Sequence, residues 1–168
     1  APAPQDWEEL GTAGDERWRD LAALRARGVE VVVRSSDVAN AQATGKLIAD
    51  FGSKLPALKG VFHAAGVVTP IPGAALRPED LRQVCASKVA GSWNLHVACA
   101  ALALDHFVLF SSGSAIWGSK LLAHYGAANA FLDALARQRR AEGSPALSVA
   151  WGMWGGAGMS TDGANARS

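Results

Sequence analysis

Four polar or ionisable side chains in this sequence stand at positions that call for a reason: Tyr125, Ser112, Lys88 and Asn129. Tyr125 is the single tyrosine of the chain. A free phenol has a pKa near 10, and a neighbouring ammonium would favour its ionised form and bring it closer to working pH. Asn129 follows four residues later on the same helical face. Asparagine is a poor mid-helix residue, so it suits the edge of a polar cavity better than a dry core; the alternative is an asparagine facing solvent. Ser112 and Ser114 close the run His106-Phe107-Val108-Leu109-Phe110-Ser111. Hydroxyls at the carboxyl end of a parallel strand lie where open α/β sheets bind ligands, although a serine-rich turn or helix cap is the simpler reading of this segment alone. Lys88 falls seven residues after Leu81, within a stripe formed by Leu81, Val84, Cys85, Val89, Ser92, Leu95, His96 and Cys99. A lysine facing a core is costly unless something pairs with it or uses its charge; otherwise it snorkels at the stripe's edge.

The elements that must carry these residues alternate between the two periodicities. Helices are expected over 15–27, 39–52, 78–102 and 121–141. Gly28, Gly52 and Gly143 stop three of them, and Pro78 with Glu79 and Asp80 starts the third. Short β-branched or apolar runs at Val29–Val33, Leu58–Phe62, His106–Ser111 and Leu147–Trp151 read as buried strands. Strands alternating with helices imply a parallel sheet covered on both faces. Residues 1–14 are rich in Pro, Ala and Gly and read as a linker, and the segment from Gly152 to Ser168 has no periodicity.

Composition removes several classes of function. The 168 residues carry 49% hydrophobic and 18% charged side chains, which is globular rather than disordered. Sixteen Lys and Arg against fifteen Asp and Glu leave a net charge of +1, with no surplus to hold a nucleic acid. No apolar stretch approaches the length that spans a bilayer. Cys85 and Cys99, 14 residues apart in one helical pattern, suit neither a disulfide scaffold nor a zinc site, so a reducing cytoplasm is expected. His63, His96, His106 and His124 share no ligand spacing, so structural roles are expected for them and no metal site.

Twelve residues separate Ser112 from Tyr125, and this spacing resembles the serine–tyrosine pair of short-chain dehydrogenases/reductases. Ordinary members place a lysine four after the tyrosine. Here that position is Asn129 and the lysine stands upstream at Lys88, which resembles the ketoreductase domains of modular polyketide synthases and animal-type fatty acid synthases. His63-Ala64-Ala65-Gly66, Lys88-Val89, Trp93-Asn94-Leu95, Phe110-Ser111-Ser112, the run from Tyr125 to Asp133 and Trp151-Gly152-Met153-Trp154 agree with that family in order and spacing. The resemblance implies a Rossmann-like, doubly wound parallel sheet over residues 15–158, incomplete at the N-terminus, followed by a truncated lid or tail over 159–168. It implies reduction of a β-ketoacyl thioester, carried by the phosphopantetheine arm of an acyl carrier protein, to the 3-hydroxyacyl thioester with NADPH. Neighbouring synthase domains are the further expected partners. Tyr125 would be the proton donor, Ser112 would hydrogen-bond the substrate carbonyl, Lys88 would supply charge, and Asn129 would hold the lysine or a relay water. Asp37 and Val38 would border the adenine, Ala64, Ala65 and Gly66 the ribose, and Trp151 and Gly152 the nicotinamide.

The family's strand, glycine-rich turn and helix for the cofactor pyrophosphate are not found in these residues. Gly155-Gly156-Ala157-Gly158 lacks the spacing. The expectation is an internal fragment of a ketoreductase domain. A catalytically silent reductase-like domain and a free-standing short-chain reductase are the rival readings. Trp117 lies eight residues before Tyr125, where the family's A-type members carry a tryptophan that orients the substrate. The A-type marker histidine three before the tyrosine is replaced by Leu122, and the loop after Gly66 has no Leu-Asp-Asp signature. An A-type enzyme giving the L-configured alcohol is therefore expected, on substrates without an inverted α-branch. The rival for Trp117 is simple packing in the loop.

Overall fold

The computed structural model describes residues 16–153. The expected linker over 1–14, the tail over 159–168 and the glycine cluster at 155–158 lie outside them. The described residues form two compact units that meet in sequence at Ser36 and Asp37.

The first unit holds helix α1, Glu16–Ala26. Gly28 ends it with a φ of 84°, a left-handed turn that a side chain would strain, and its N–H closes on Arg25 O at 2.9 Å. The expected strand Val29–Val33 does not form, and Val29 remains 48% exposed. Among the described residues nothing offers this run a hydrogen-bonding ladder, and β-branched composition alone makes no strand.

The second unit is built on three parallel strands in the order β1-β2-β3: β1 is Gly60–His63, β2 is His106–Ser112 and β3 is Leu147–Trp151. Gly60 pairs with His106 and Val108 with Leu147, so the carboxyl ends His63, Ser112 and Trp151 lie along one rim of the sheet. Helix α2, Ala41–Ala49, is capped by Asn40, whose side chain accepts from Ala43 N. Helix α3, Pro78–Cys85, starts at its proline with Asp80 accepting from Arg77 N. The expected single helix over 78–102 is not continuous. A π-helical turn, Ala86–Gly91, separates α3 from helix α4, Ser92–Ala98. The short helix α5, Ser114–Trp117, follows β2, and the 19-residue helix α6, Ala123–Ala141, leads to β3.

Alternation along β2 turns Phe107, Leu109 and Ser111 to one face, where the first two meet Leu132, Leu135 and Ala136 of α6 together with Val61, Ile48 and Cys99. Arg139 is buried at the far end of this core. Its guanidinium lies 4.0 Å from the Phe107 ring centroid and donates to His96 Nδ1 at 2.8 Å. His96 is held below its ordinary pKa, first by burial and then by that guanidinium, which suits a neutral acceptor. The other face of the sheet is less covered than its parallel pattern predicts: Phe62 is 65% exposed, and Val108, Phe110 and Val149 are half-buried.

Leu132→Ala removes a fully buried side chain from the α6–β2 contact. It should cost about 2–5 kcal/mol in urea unfolding while leaving the helical content of the native state unchanged. A loss well under 1 kcal/mol would show that α6 is not seated on β2 through this residue.

Candidate active site

The carboxyl end of β2 gathers the chemistry. Ser112 is its last residue, and the chain there turns directly into α5. Ser112 Oγ accepts from Ser114 N at 3.2 Å and from Ser114 Oγ at 3.0 Å. The Ser114 N–H takes one acceptor position of this hydroxyl, which also pairs with the Ser114 hydroxyl. Ser114, which closes the same run as Ser112 in the sequence, stands two residues after it, the short side-chain–backbone spacing of such turns. Gly126 of α6 lets the helix approach this turn, since a Cβ there would stand 2.9 Å from Ser114 O.

Tyr125 enters from the first turns of α6 and is buried with Val84 and Ala128. Leu122 packs against the same cluster. Asn129, one turn on, is fully buried. Its Nδ2 donates to Tyr125 O at 2.8 Å, and its own backbone carbonyl accepts from Ser111 Oγ at 3.2 Å. Asn129 Oδ1 has no hydrogen-bond partner among the described residues, so the amide presents a buried acceptor. The solvent-facing alternative for this asparagine is excluded.

Lys88 comes from the opposite side, out of the π turn, and is only 3% exposed. It does not snorkel. Its Nζ donates to Phe110 O at 3.0 Å and lies 5.4 Å from the Tyr125 ring centroid. Burial pushes its pKa down to about 8. Gly66 abuts this side chain: a Cβ there would come within 2.9 Å of Lys88 Cε. The sequence assigns Gly66 to close approach by a cofactor; in the fold its missing side chain makes room for the lysine.

The remaining expected cofactor residues lie on the same rim. Ala64 and Ala65 continue β1 and are exposed, and Trp151 and Gly152 end β3. Among the described residues, no atom outside its two chain neighbours lies within 4 Å of a Cβ placed on Gly152. Trp151 stacks obliquely on Phe110 with centroids 5.7 Å apart. Asp37 is exposed and accepts from Ala39 N at 2.9 Å. Asn94, quoted in the sequence only as part of a motif, donates to Val38 O and Ala39 O at 3.0 Å each and so ties this loop to α4. Small or open positions at the carboxyl ends of parallel strands fit a dinucleotide. Trp117 is 73% exposed, so it is no plug in the loop. Its indole lies over Gly113, where a Cβ would collide with it. Leu121 adopts a left-handed φ of 64°, and its carbonyl accepts from Ile71 N at 2.9 Å, joining the loop after β1 to the approach to Tyr125.

The fold and rim define a Rossmann-like α/β nucleotide-binding class with a buried lysine beside a tyrosine. The family model for the KR domain matches residues 10–156, and the chain belongs to the ketoreductase family. It is 42% identical over 146 residues to mycoketide-CoA synthase of Mycobacterium tuberculosis, covering 87% of this chain and 4% of that protein. It is 44% identical over 151 residues to polyketide synthase GfsA of Streptomyces halstedii, covering 90% of this chain and 2% of that protein. A solved structure of A-type ketoreductases from a modular polyketide synthase superposes with a TM-score of 0.81 at 43% identity, over 90% of this chain and 32% of that one. The chain thus spans a small fraction of the curated relatives it matches. Among the described residues no helix is long and apolar enough to cross a membrane.

The depressed Lys88 pKa fixes a pH signature. Unfolded, this lysine keeps its proton up to an ordinary value near 10.5; folded, it loses it near 8. Between these limits the unfolded chain binds more protons, so raising the pH relieves the burial cost and favours the folded state. Urea unfolding should show wild type gaining stability relative to Lys88→Met between pH 7 and pH 10, by at most about 3 kcal/mol. A gap independent of pH would mean that Lys88 titrates as an ordinary lysine.

Proposed function

We propose that the protein containing this chain reduces a β-ketoacyl thioester, held on the phosphopantetheine arm of an acyl carrier protein, to the 3-hydroxyacyl thioester. The observation that carries the reading is the buried Lys88 ammonium placed 5.4 Å from the ring of Tyr125. NADPH, when bound, supplies hydride to the carbonyl carbon. Ser112 donates a hydrogen bond to the carbonyl oxygen and so stabilises the charge that develops there. Tyr125 gives its proton to that oxygen. The Lys88 ammonium offsets the charge left on the phenol oxygen, and the unpartnered Asn129 Oδ1 orients the donor that restores the proton. Ala64 and Ala65 border the cofactor ribose, Asp37 and Val38 the adenine, and Trp151 and Gly152 the nicotinamide. Exposed Trp117 walls one side of the cleft and directs the thioester arm past the other. This supports an A-type course, which the 43% identity to A-type ketoreductases also favours.

In the full-length protein, Tyr125→Phe should lower reduction of a β-ketoacyl thioester about 10²–10⁴-fold with NADPH affinity nearly unchanged. Retention of most of the turnover would remove Tyr125 from the chemistry. The wild-type rate should fall as pH rises through about 8, where Lys88 loses its proton.

The stereochemical expectation has its own readout. Chiral analysis of the product should give the L-alcohol, and Trp117→Ala should erode that selectivity. A D-alcohol from the wild type would show that Trp117 does not set the orientation. Activity with NADH equal to that with NADPH would refute the cofactor preference.

A further inference from the structure

A regular helix closes each carbonyl on the N–H four residues on. A π turn adds a residue to that ring and leaves carbonyls near its exit badly aimed. Between Ala86 and Gly91 three carbonyls, Ser87 O, Lys88 O and Val89 O, receive side-chain donors, and Val89 O also takes the Ser92 backbone N–H. His63 Nε2, at the end of β1, donates to Ser87 O at 3.0 Å. Ser92 Oγ donates to Lys88 O and lies 3.2 Å from Val89 O. Ser92 and His63 are both buried. The turn is also packed from outside: a Cβ on Gly91 would stand 2.6 Å from Val38 Cγ1 and 3.5 Å from His63 Cε1. Serine bonding back onto the preceding turn bends helices, and here the bend falls on the lysine itself. Were the segment to relax to a plain α-helix, the positions beyond the turn would rotate by about 100° per residue gained or lost, and Lys88 could not keep both its registry with α4 and its bond to Phe110 O.

We propose that Ser92 and His63 are positioning residues that clamp the π turn by its carbonyls and thereby aim the Lys88 nitrogen at Tyr125. The proposal rests on the reductase reading for its kinetic arm only. The titratable groups facing Lys88 among the described residues are Tyr125 from α6 and His63 from β1. Burial holds His63 below its ordinary pKa, against the Ser87 bond and with a smaller push from Lys88. A neutral His63 donating from Nε2 does the clamping.

The test uses the full-length protein with Ser92→Ala, and with Ser92→Cys as a variant of nearly unchanged volume. Lysine labelled with ¹³C at Cε reads the Lys88 titration by NMR, with Lys88→Met supplying the assignment. Both Ser92 variants should raise the Lys88 midpoint by about one unit or more, as the ammonium regains water. They should lower kcat about tenfold or more, with KM and NADPH affinity within about twofold. Ser92→Thr, which keeps the hydroxyl, should restore most of both. His63→Leu should mimic Ser92→Ala, and His63→Gln, which can still donate, should not. An unmoved Lys88 midpoint in folded Ser92→Cys overturns the proposal, whatever the kinetics. A wild-type protein that reduces no β-ketoacyl thioester overturns the functional reading instead, and the titration still decides the positioning.

Discussion

Taking an ammonium out of water costs several kcal/mol unless its remaining protons find partners, and Lys88 is the group on which that cost falls here. The arrangement around it is intelligible as the means of bearing the cost while keeping the charge available. Phe110 offers a backbone carbonyl at the rim of the sheet. Gly66 withholds the side chain that would collide with the lysine stem. Tyr125 presents its ring close by. No carboxylate is among the hydrogen-bond partners found for Lys88 among the described residues, so its charge is not neutralised by an ion pair. A carboxylate would raise the lysine pKa and take up much of its field.

The long periodic elements were legible because their signals are local. The stop glycines and the Pro78 start each act within a turn or two, and the strands His106–Ser112 and Leu147–Trp151 stand within a residue of the runs that suggest them. The site residues were legible by type and spacing. Their geometry was not. The stripe from Leu81 to Cys99 reads as one helix because spacings of three and four fit an α-helix and tolerate one wide turn equally well. The bond from His63 to Ser87 O crosses from β1, and no spacing along the stripe announces it. Lys88 is buried, while Leu81, seven residues before it, is exposed.

The misread strand has a physical cause. Val29–Val33 has the composition of a buried strand, but a strand is defined by its neighbours, and composition does not supply them. Gly66 reads as a ligand-approach turn, and the fold adds a use the sequence does not announce, room for the Lys88 side chain. In both cases the local pattern states what a residue permits, and the fold decides which permission is used. Ser114 belongs with them. A serine after a glycine is an ordinary turn residue until its hydroxyl and N–H both reach Ser112, and then it holds the Ser112 hydroxyl in place.

The exchange of lysine and asparagine between two segments tests whether chain order or position carries function. Lys88 arrives from the π turn and Asn129 from α6, and both reach the terminal residues of β2: Lys88 through Phe110 O, and Asn129 through the hydroxyl of Ser111 on its backbone carbonyl. A strand flanked by two helices offers its carboxyl end to either, so a cation supplied from one side serves the same phenol as a cation supplied from the other. The consequence is asymmetric. A lysine on α6 would extend from a regular helix whose geometry its backbone hydrogen bonds already fix. A lysine on the turn before α4 extends from a π-helical segment whose carbonyls also receive the His63 ring and the Ser92 hydroxyl, so side chains outside the segment share in holding the backbone that carries it.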